Sequence, residues 1–199
     1  MSLPTLLLLE GFLYIVLFGG LSFLRREGLS GQFAIEAATL TVITSGLAAL
    51  SGFSIHPILF LIIIYLITMR VRLLVDVGNV FARRRQFTYA DRIYTIAARL
   101  WPDNSNQLIV LINRGTLRLH QGELDEAITT FTGILQKVHH GHLGIKYEAA
   151  THYNLGVAYR LKKVEAQAIK EFNAVLDTWP ASEYAPRAKA AIEKTRLNK

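Results

Sequence analysis

The sequence predicts an all-α chain in two unlike parts: N-terminal helices that cross a membrane, then a tandem array of helical hairpins closed by one further helix. Three observations carry this. Charge is partitioned: residues 1–69 hold only Glu10, Arg25, Arg26, Glu27 and Glu36, and the remaining 20 of 22 Lys and Arg and 12 of 15 Asp and Glu lie beyond them. Within the charge-poor part, apolar runs approach the roughly 20 residues a helix needs to cross about 30 Å of hydrocarbon. Beyond Arg70, glycine, alanine and an aromatic residue recur at fixed offsets. These divide the chain into an anchor over 1–69 and a repeat domain over 70–199.

The first run, 4–24, is interrupted only by Glu10. No positive charge precedes it and no small-x-small site follows it, so it reads as a retained anchor and not as a cleaved signal peptide. The apolar stretch from Phe33 to Met69 is too long for one crossing. Gly52, Ser54, His56 and Pro57 interrupt it, and proline starts or ends helices more readily than it sits within them. This gives two spans, 32–52 and 54–69. The last is short unless Leu73, Leu74 and Val75 extend it while Arg70 and Arg72 snorkel; a re-entrant hairpin is the rival reading. Orientation is set by loop charge. Arg25 and Arg26 come after the first span, no Lys or Arg lies around Ser54–His56, and Arg70, Arg72, Arg83, Arg84 and Arg85 come after the third. The positive-inside rule then places the N-terminus outside and the C-terminal domain in the cytoplasm.

Ala37, Thr41, Ser45 and Ala49 recur every four residues in the second span. Such a stripe lets helix backbones approach closely in lipid. Its partner is either the chain's own spans or another membrane subunit. Glu10 and Glu36 lie near span ends, where exposed interfacial carboxylates need no further role.

In the second part, Gly78 is followed at the same spacings by Ala90, Tyr94 and Pro102, and Gly156 by Ala168, Phe172 and Pro180. Gly115 is followed by Ala127 and Phe131, with His139 where proline would stand. Glycine and alanine suit the close contact of two antiparallel helices, and an aromatic four residues past the alanine shares its face. Proline ends the second helix. This pattern resembles the tetratricopeptide repeat, with its 34-residue period. The resemblance implies three repeats, 71–104, 108–141 and 149–182, and a capping helix over 183–197. Arg118 departs from the usual aromatic and His152 from the usual large apolar residue. Seven additional residues separate the last two glycines, within 139–146. The first repeat's opening helix reads as running straight on from the third span.

The resemblance further implies a concave groove lined by the first helix of each hairpin. Asp76, Asn113 and Asn154 stand two before each glycine, with Asn79 one after the first. Asparagines here would hold an extended peptide through its backbone. Val75, Ile112 and Tyr153 would form an apolar track beside them. Chaperone-tail-binding members of the family require charges where Val75, Ala150 and Asn154 stand, so a carboxylate clamp is not expected although Asn79 and Asn113 match.

His139, His140 and His142, with His152, have the chemistry of zinc ligands, but zinc needs three or four converging groups; a polar insertion explains them more simply, and no metal or other cofactor is expected. The net charge of +7 arises partly from Arg70, Arg72, Arg83, Arg84 and Arg85 beside the membrane. Juxtamembrane cations gain about 1 kcal/mol each from anionic headgroups. Lipid thus explains the charge without nucleic acid, for which no motif is present. No phosphate-cradling loop, nucleophile elbow or His-Glu metal motif points to an enzyme, and absent cysteine excludes thiol chemistry. The resemblance implies a scaffold that binds protein partners, with assembly of a membrane complex as one setting. The alternative is a permanent subunit of a photosynthetic or respiratory complex, held through its spans.

Overall fold

A computed structural model of the chain describes residues 2–24, 31–138 and 144–197. Its elements are helical throughout: α1 (Leu3–Leu24), α2 (Gly31–Ser51), α3 (Pro57–Thr68), α4 (Arg70–Arg83), α5 (Phe87–Arg99), α6 (Asn104–Gln121), α7 (Leu124–Val138), α8 (Ile145–Leu161), α9 (Glu165–Thr178) and α10 (Tyr184–Leu197). Helices α1 and α2, of 22 and 21 residues, are each long and apolar enough to cross a membrane. At 1.5 Å per residue they extend about 33 and 31 Å. Their outward faces, with Phe12, Val16, Val42, Ile43 and Leu50 exposed, suit a hydrocarbon solvent that demands internal backbone satisfaction and tolerates apolar surface.

The two pack antiparallel. A Cβ on Gly11 would collide with Thr41, and Ser45 Oγ donates to the carbonyl of Pro4 at 2.9 Å. Gly52, at φ 64°, ends α2 in the left-handed region, and Pro57 starts α3 after an extended His56. These are the termini that glycine and proline favour.

Helix α3 has only 12 residues, about 18 Å, short of the roughly 30 Å of hydrocarbon, and it counts as a third crossing only as part of a bent pair with α4. The chain does not run straight from it into the next helix. The axes of α3 and α4 bend by 72° at a break centred on Met69, which corrects the expectation that the first hairpin's opening helix runs straight on from the third apolar run. Packing on the far side of the break explains the bend. Val71 and Val75 are buried in a cluster with Ala90, Tyr94, Ile109 and Val110, so α4 turns to lay that face on α5 and α6.

Helices α4–α9 form three hairpins, α4/α5, α6/α7 and α8/α9, each also touching the next, with α4 beside α6 and α6 beside α8. Within each, glycine meets an aromatic ring. A Cβ on Gly115 would lie 2.8 Å from Phe131 Cε1, and one on Gly156 2.7 Å from Phe172 Cε1; Gly78 faces Tyr94 more closely still. Ala90, Ala127 and Ala168 are buried completely. The turns repeat as well. Arg85, Gly122 and Lys163 all adopt positive φ, and the following amides of Gln86, Glu123 and Val164 donate to the carbonyls of Phe81, Arg118 and Tyr159. This is the Schellman arrangement that satisfies a helix's last carbonyls. Helix α10 packs Ala188, Ala191 and Ile192 against the core around Ala168, Phe172 and Val175.

Candidate interaction surfaces

The side-by-side helices α4, α6 and α8 carry the residues expected to line a groove. Val75 and Ile112 are only 4 % and 6 % exposed, and Tyr153 packs between Phe172 and Tyr184 at 5.9 and 5.4 Å between ring centroids. Val75 and Ile112 are therefore core residues, and they form no open apolar track. The asparagines are partly engaged within the fold. Asn79 Oδ1 accepts from the Tyr94 hydroxyl at 2.7 Å, Asn113 Nδ2 donates to the Ile109 carbonyl at 2.8 Å, and Asn154 Nδ2 donates to Thr116 Oγ1 at 3.1 Å. Asp76 is exposed. Burial pushes the Tyr94 phenol up to about 12, because an ionised ring could not be solvated at this contact.

The small-residue stripe is largely consumed inside the chain. Ala37, Thr41 and Ser45 are buried beneath α1, and only Ala49 is exposed.

A polar clamp joins the apolar helices to the hairpins. Arg70 makes two bonds to the Glu36 carboxylate, Nη1 to Oε2 at 2.5 Å and Nη2 to Oε1 at 2.9 Å. Arg70 Nε donates to the Leu100 carbonyl at 3.0 Å, and Gln32 Nε2 donates to Glu36 at 2.6 Å and to the Trp101 carbonyl at 2.9 Å. The Arg70 and Glu36 side chains are 21 % and 26 % exposed. Two-point guanidinium–carboxylate geometry is directional as well as strong. Arg70, expected at lipid headgroups, is thus held inside the protein, and Glu36 is no exposed interfacial carboxylate. Trp101 presents an exposed indole beside them, on a backbone at φ 47°.

Of the other arginines, Arg83, Arg84 and Arg85 are exposed at the α4–α5 turn, and Arg72 is half-buried. Arg72 lines a cavity of about 660 Å³ where α1 and α3 meet α4, α6 and α8. Phe18, Leu21, Tyr65, Met69 and Leu73 supply its apolar wall, and Arg72, Asp76, Lys146 and Tyr147 its polar one. A second hollow of about 380 Å³, whose accessible surface is apolar, runs between α1 and α3 from Glu10 and Ile58, and it shares Phe18 and Tyr65 with the first. The size of each lies within the roughly 300–1,000 Å³ of small-molecule sites.

The two departures from the repeat pattern each substitute a polar side-chain contact for apolar packing. Arg118 binds Glu123 at 2.6 Å, which raises its already high pKa. His152 Nδ1 lies 2.7 Å from Glu171 Oε2. His139, His140 and His142 lie outside the described residues; among the described residues no group of three or more His, Asp and Glu side chains converges as metal ligands.

Sequence reasoning missed the clamp, although Glu36 and Arg70 are the charges that bracket the second and third apolar runs. It also missed the cavity, whose lining spans residues from Phe18 to Tyr147. Compared with models of known protein families and with curated proteins, the sequence matches none.

Proposed function

We propose that this chain is a membrane-anchored, non-enzymatic scaffold of the tetratricopeptide type, which presents α4, α6 and α8 to a protein partner at the cytoplasmic face and assists assembly of a membrane complex. The observation that carries this reading is the threefold recurrence of one hairpin: glycine under an aromatic ring, a left-handed residue at the turn, and first helices aligned side by side. A hairpin of this kind cannot bury its faces alone, so stacking leaves an extended surface suited to recognition. Helix α10 serves as the cap that closes the array. Asn113 and Asn154 keep their amide oxygens for a partner's backbone N–H groups, with Asp76 beside them.

The clamp makes the anchor and the array one body, so a captured partner is held at a fixed distance from the bilayer. The basic turn supports the same placement. Helix α4 has 14 residues, about 20 Å. With a 72° bend and α3 along the bilayer normal, it rises only about 6 Å, inside the ~8 Å Debye length at physiological salt. Arg83, Arg84 and Arg85 then lie within reach of anionic headgroups.

Burial of the small-residue stripe by α1 disfavours the alternative, a permanent subunit docked through that stripe. Mild detergent extraction at native expression tests the choice: the scaffold reading expects mostly free protein, and a stoichiometric complex overturns it. In pull-downs from the same extract, Asn113→Ala with Asn154→Ala reduces partner recovery about tenfold if each lost bond is worth about 1 kcal/mol or more. Unchanged recovery, with the circular dichroism spectrum retained, removes the α4–α6–α8 face as the site.

A further inference from the structure

We infer that the junction between the apolar helices and the hairpins is a binding site for one anionic phospholipid, which becomes a structural part of the protein. The inference rests on α1 and α2 lying in a bilayer, and on no partner protein.

Two hollows that meet make the case. The groove between α1 and α3 is lined by Glu10, Leu13, Leu17, Phe18, Ile58 and Ile62 among others, and its accessible lining is apolar. From Glu10 to Phe18, the stretch of α1 that lines the groove, the helix advances about 12 Å, most of the roughly 15 Å of hydrocarbon in one leaflet. One acyl chain therefore has the length to track along the groove. At its upper end Phe18 and Tyr65, 5.7 Å apart between ring centroids, belong to both hollows. The groove thus opens into the larger cavity at the end of the apolar helices, where a headgroup would sit.

The chemistry changes at that point. Arg72 from α4, whose Nε also donates to Asn106 Oδ1 at 3.4 Å, and Lys146 from α8, whose ammonium stands 5.7 Å from the centroid of the Tyr147 ring, bring two cations to the polar wall, and Asp76 brings one carboxylate. A phosphate diester suits the cations: guanidinium and ammonium give charge-assisted bonds to its oxygens. The carboxylate calls for a headgroup that can donate hydrogen bonds, which hydroxyls do and a quaternary ammonium does not. Apolar length, then phosphate, then hydroxyl is the order of groups in phosphatidylglycerol. Because Phe18 and Tyr65 come from the apolar helices, Arg72 from the first hairpin and Lys146 from the third, the lipid would join three parts of the chain that are distant in sequence.

Native mass spectrometry of the full-length protein in mild detergent tests this, with dioleoyl phosphatidylglycerol, dioleoyl phosphatidylcholine and glycerol phosphate as probes. One phosphatidylglycerol bound per chain, at least about tenfold tighter than phosphatidylcholine, is the expected result, with glycerol phosphate alone not retained. Arg72→Gln with Lys146→Gln reduces retention about tenfold or more, and so does Leu17→Trp, which fills the groove from the apolar side and leaves the charges intact. Arg83→Gln with Arg84→Gln and Arg85→Gln leaves retention unchanged, separating the cavity from the general basic surface. Equal retention by wild type and both site variants means annular lipid and overturns the inference, as does equal affinity for the two phospholipids. A polypeptide crosslinked into the groove in place of lipid overturns it too. Resistance of the wild type to alkaline carbonate extraction, measured in parallel, separates failure of the lipid site from failure of the membrane placement.

Discussion

Gly156→Ala is the sharpest test of the hairpin packing, because two effects of known sign oppose each other there. Alanine in a helix interior is favoured over glycine by about 1 kcal/mol. Against this, the new Cβ would stand 2.7 Å from Cε1 and 2.8 Å from Cδ1 of Phe172, well inside van der Waals contact. Phe172 is completely buried, so its ring cannot swing away and α8 and α9 must part. Overpacking of this kind costs about 1–3 kcal/mol, which leaves a net loss of about 1 kcal/mol. Gly133 in α7 has nothing within 4 Å of its Cβ position, so Gly133→Ala gains up to about 1 kcal/mol from the same helical preference. The two substitutions are chemically identical and differ by about 2 kcal/mol in outcome. For a chain of this size that is on the order of 4–8 °C between their melting midpoints. The assay is thermal unfolding of the full-length protein in detergent, monitored by circular dichroism in the far ultraviolet. Combining Gly156→Ala with Phe172→Leu removes the ring edge that the methyl group strikes, so the double variant is more stable than the two separate losses imply, by about 1 kcal/mol. Midpoints that move in the same direction for Gly156→Ala and Gly133→Ala refute the close contact.

Three other outcomes are expected from the same structure. Arg70→Met leaves the Leu100 carbonyl without its side-chain donor and Glu36 with only the neutral Gln32 amide; the pair is about three-quarters buried, so the loss is about 2 kcal/mol, below the full cost of a deeply buried break. Adding Glu36→Leu recovers most of it, and a double variant no better than Arg70→Met alone refutes the clamp. Tyr94, with its phenol held neutral up to about 12, gives a pH dependence: the unfolded chain releases this proton near pH 10 while the fold retains it. Stability is therefore unaffected below about pH 10 and falls by about 2–3 kcal/mol between about pH 10 and 12; Tyr94→Phe flattens that window, and an unaltered slope in the variant assigns it elsewhere. Finally, the absence of cysteine permits clean single-site labelling of topology. Ser54→Cys in sealed right-side-out vesicles reacts with an impermeant maleimide and Asn173→Cys does not, and the reverse pattern overturns the proposed orientation.

Local periodicity was readable from the chain alone. Helical content and the two membrane-length helices were legible because an apolar run with a single charge has few alternatives once it reaches the thickness of a bilayer. The offsets from Gly78, Gly115 and Gly156 to their aromatic residues were legible because residues four apart share a helix face and only small residues admit a ring at close range. Sequence patterns fell short where long-range partners compete. Nothing local indicates that Arg70 prefers Glu36, 34 residues away, to a lipid headgroup, and that choice accompanies the 72° turn after α3. Of the three left-handed turns only the one at Gly122 has glycine; at Arg85 and Lys163 hairpin closure imposes a conformation that costs a side chain roughly 1–2 kcal/mol. Val75 and Ile112 occupy groove positions by register yet are buried in the core, because register fixes a residue's face and the angle between hairpins decides what covers it. The cavity between Phe18 and Lys146 is the extreme case. Five helices converge to form it, and tertiary packing alone brings together walls whose residues share no sequence neighbourhood.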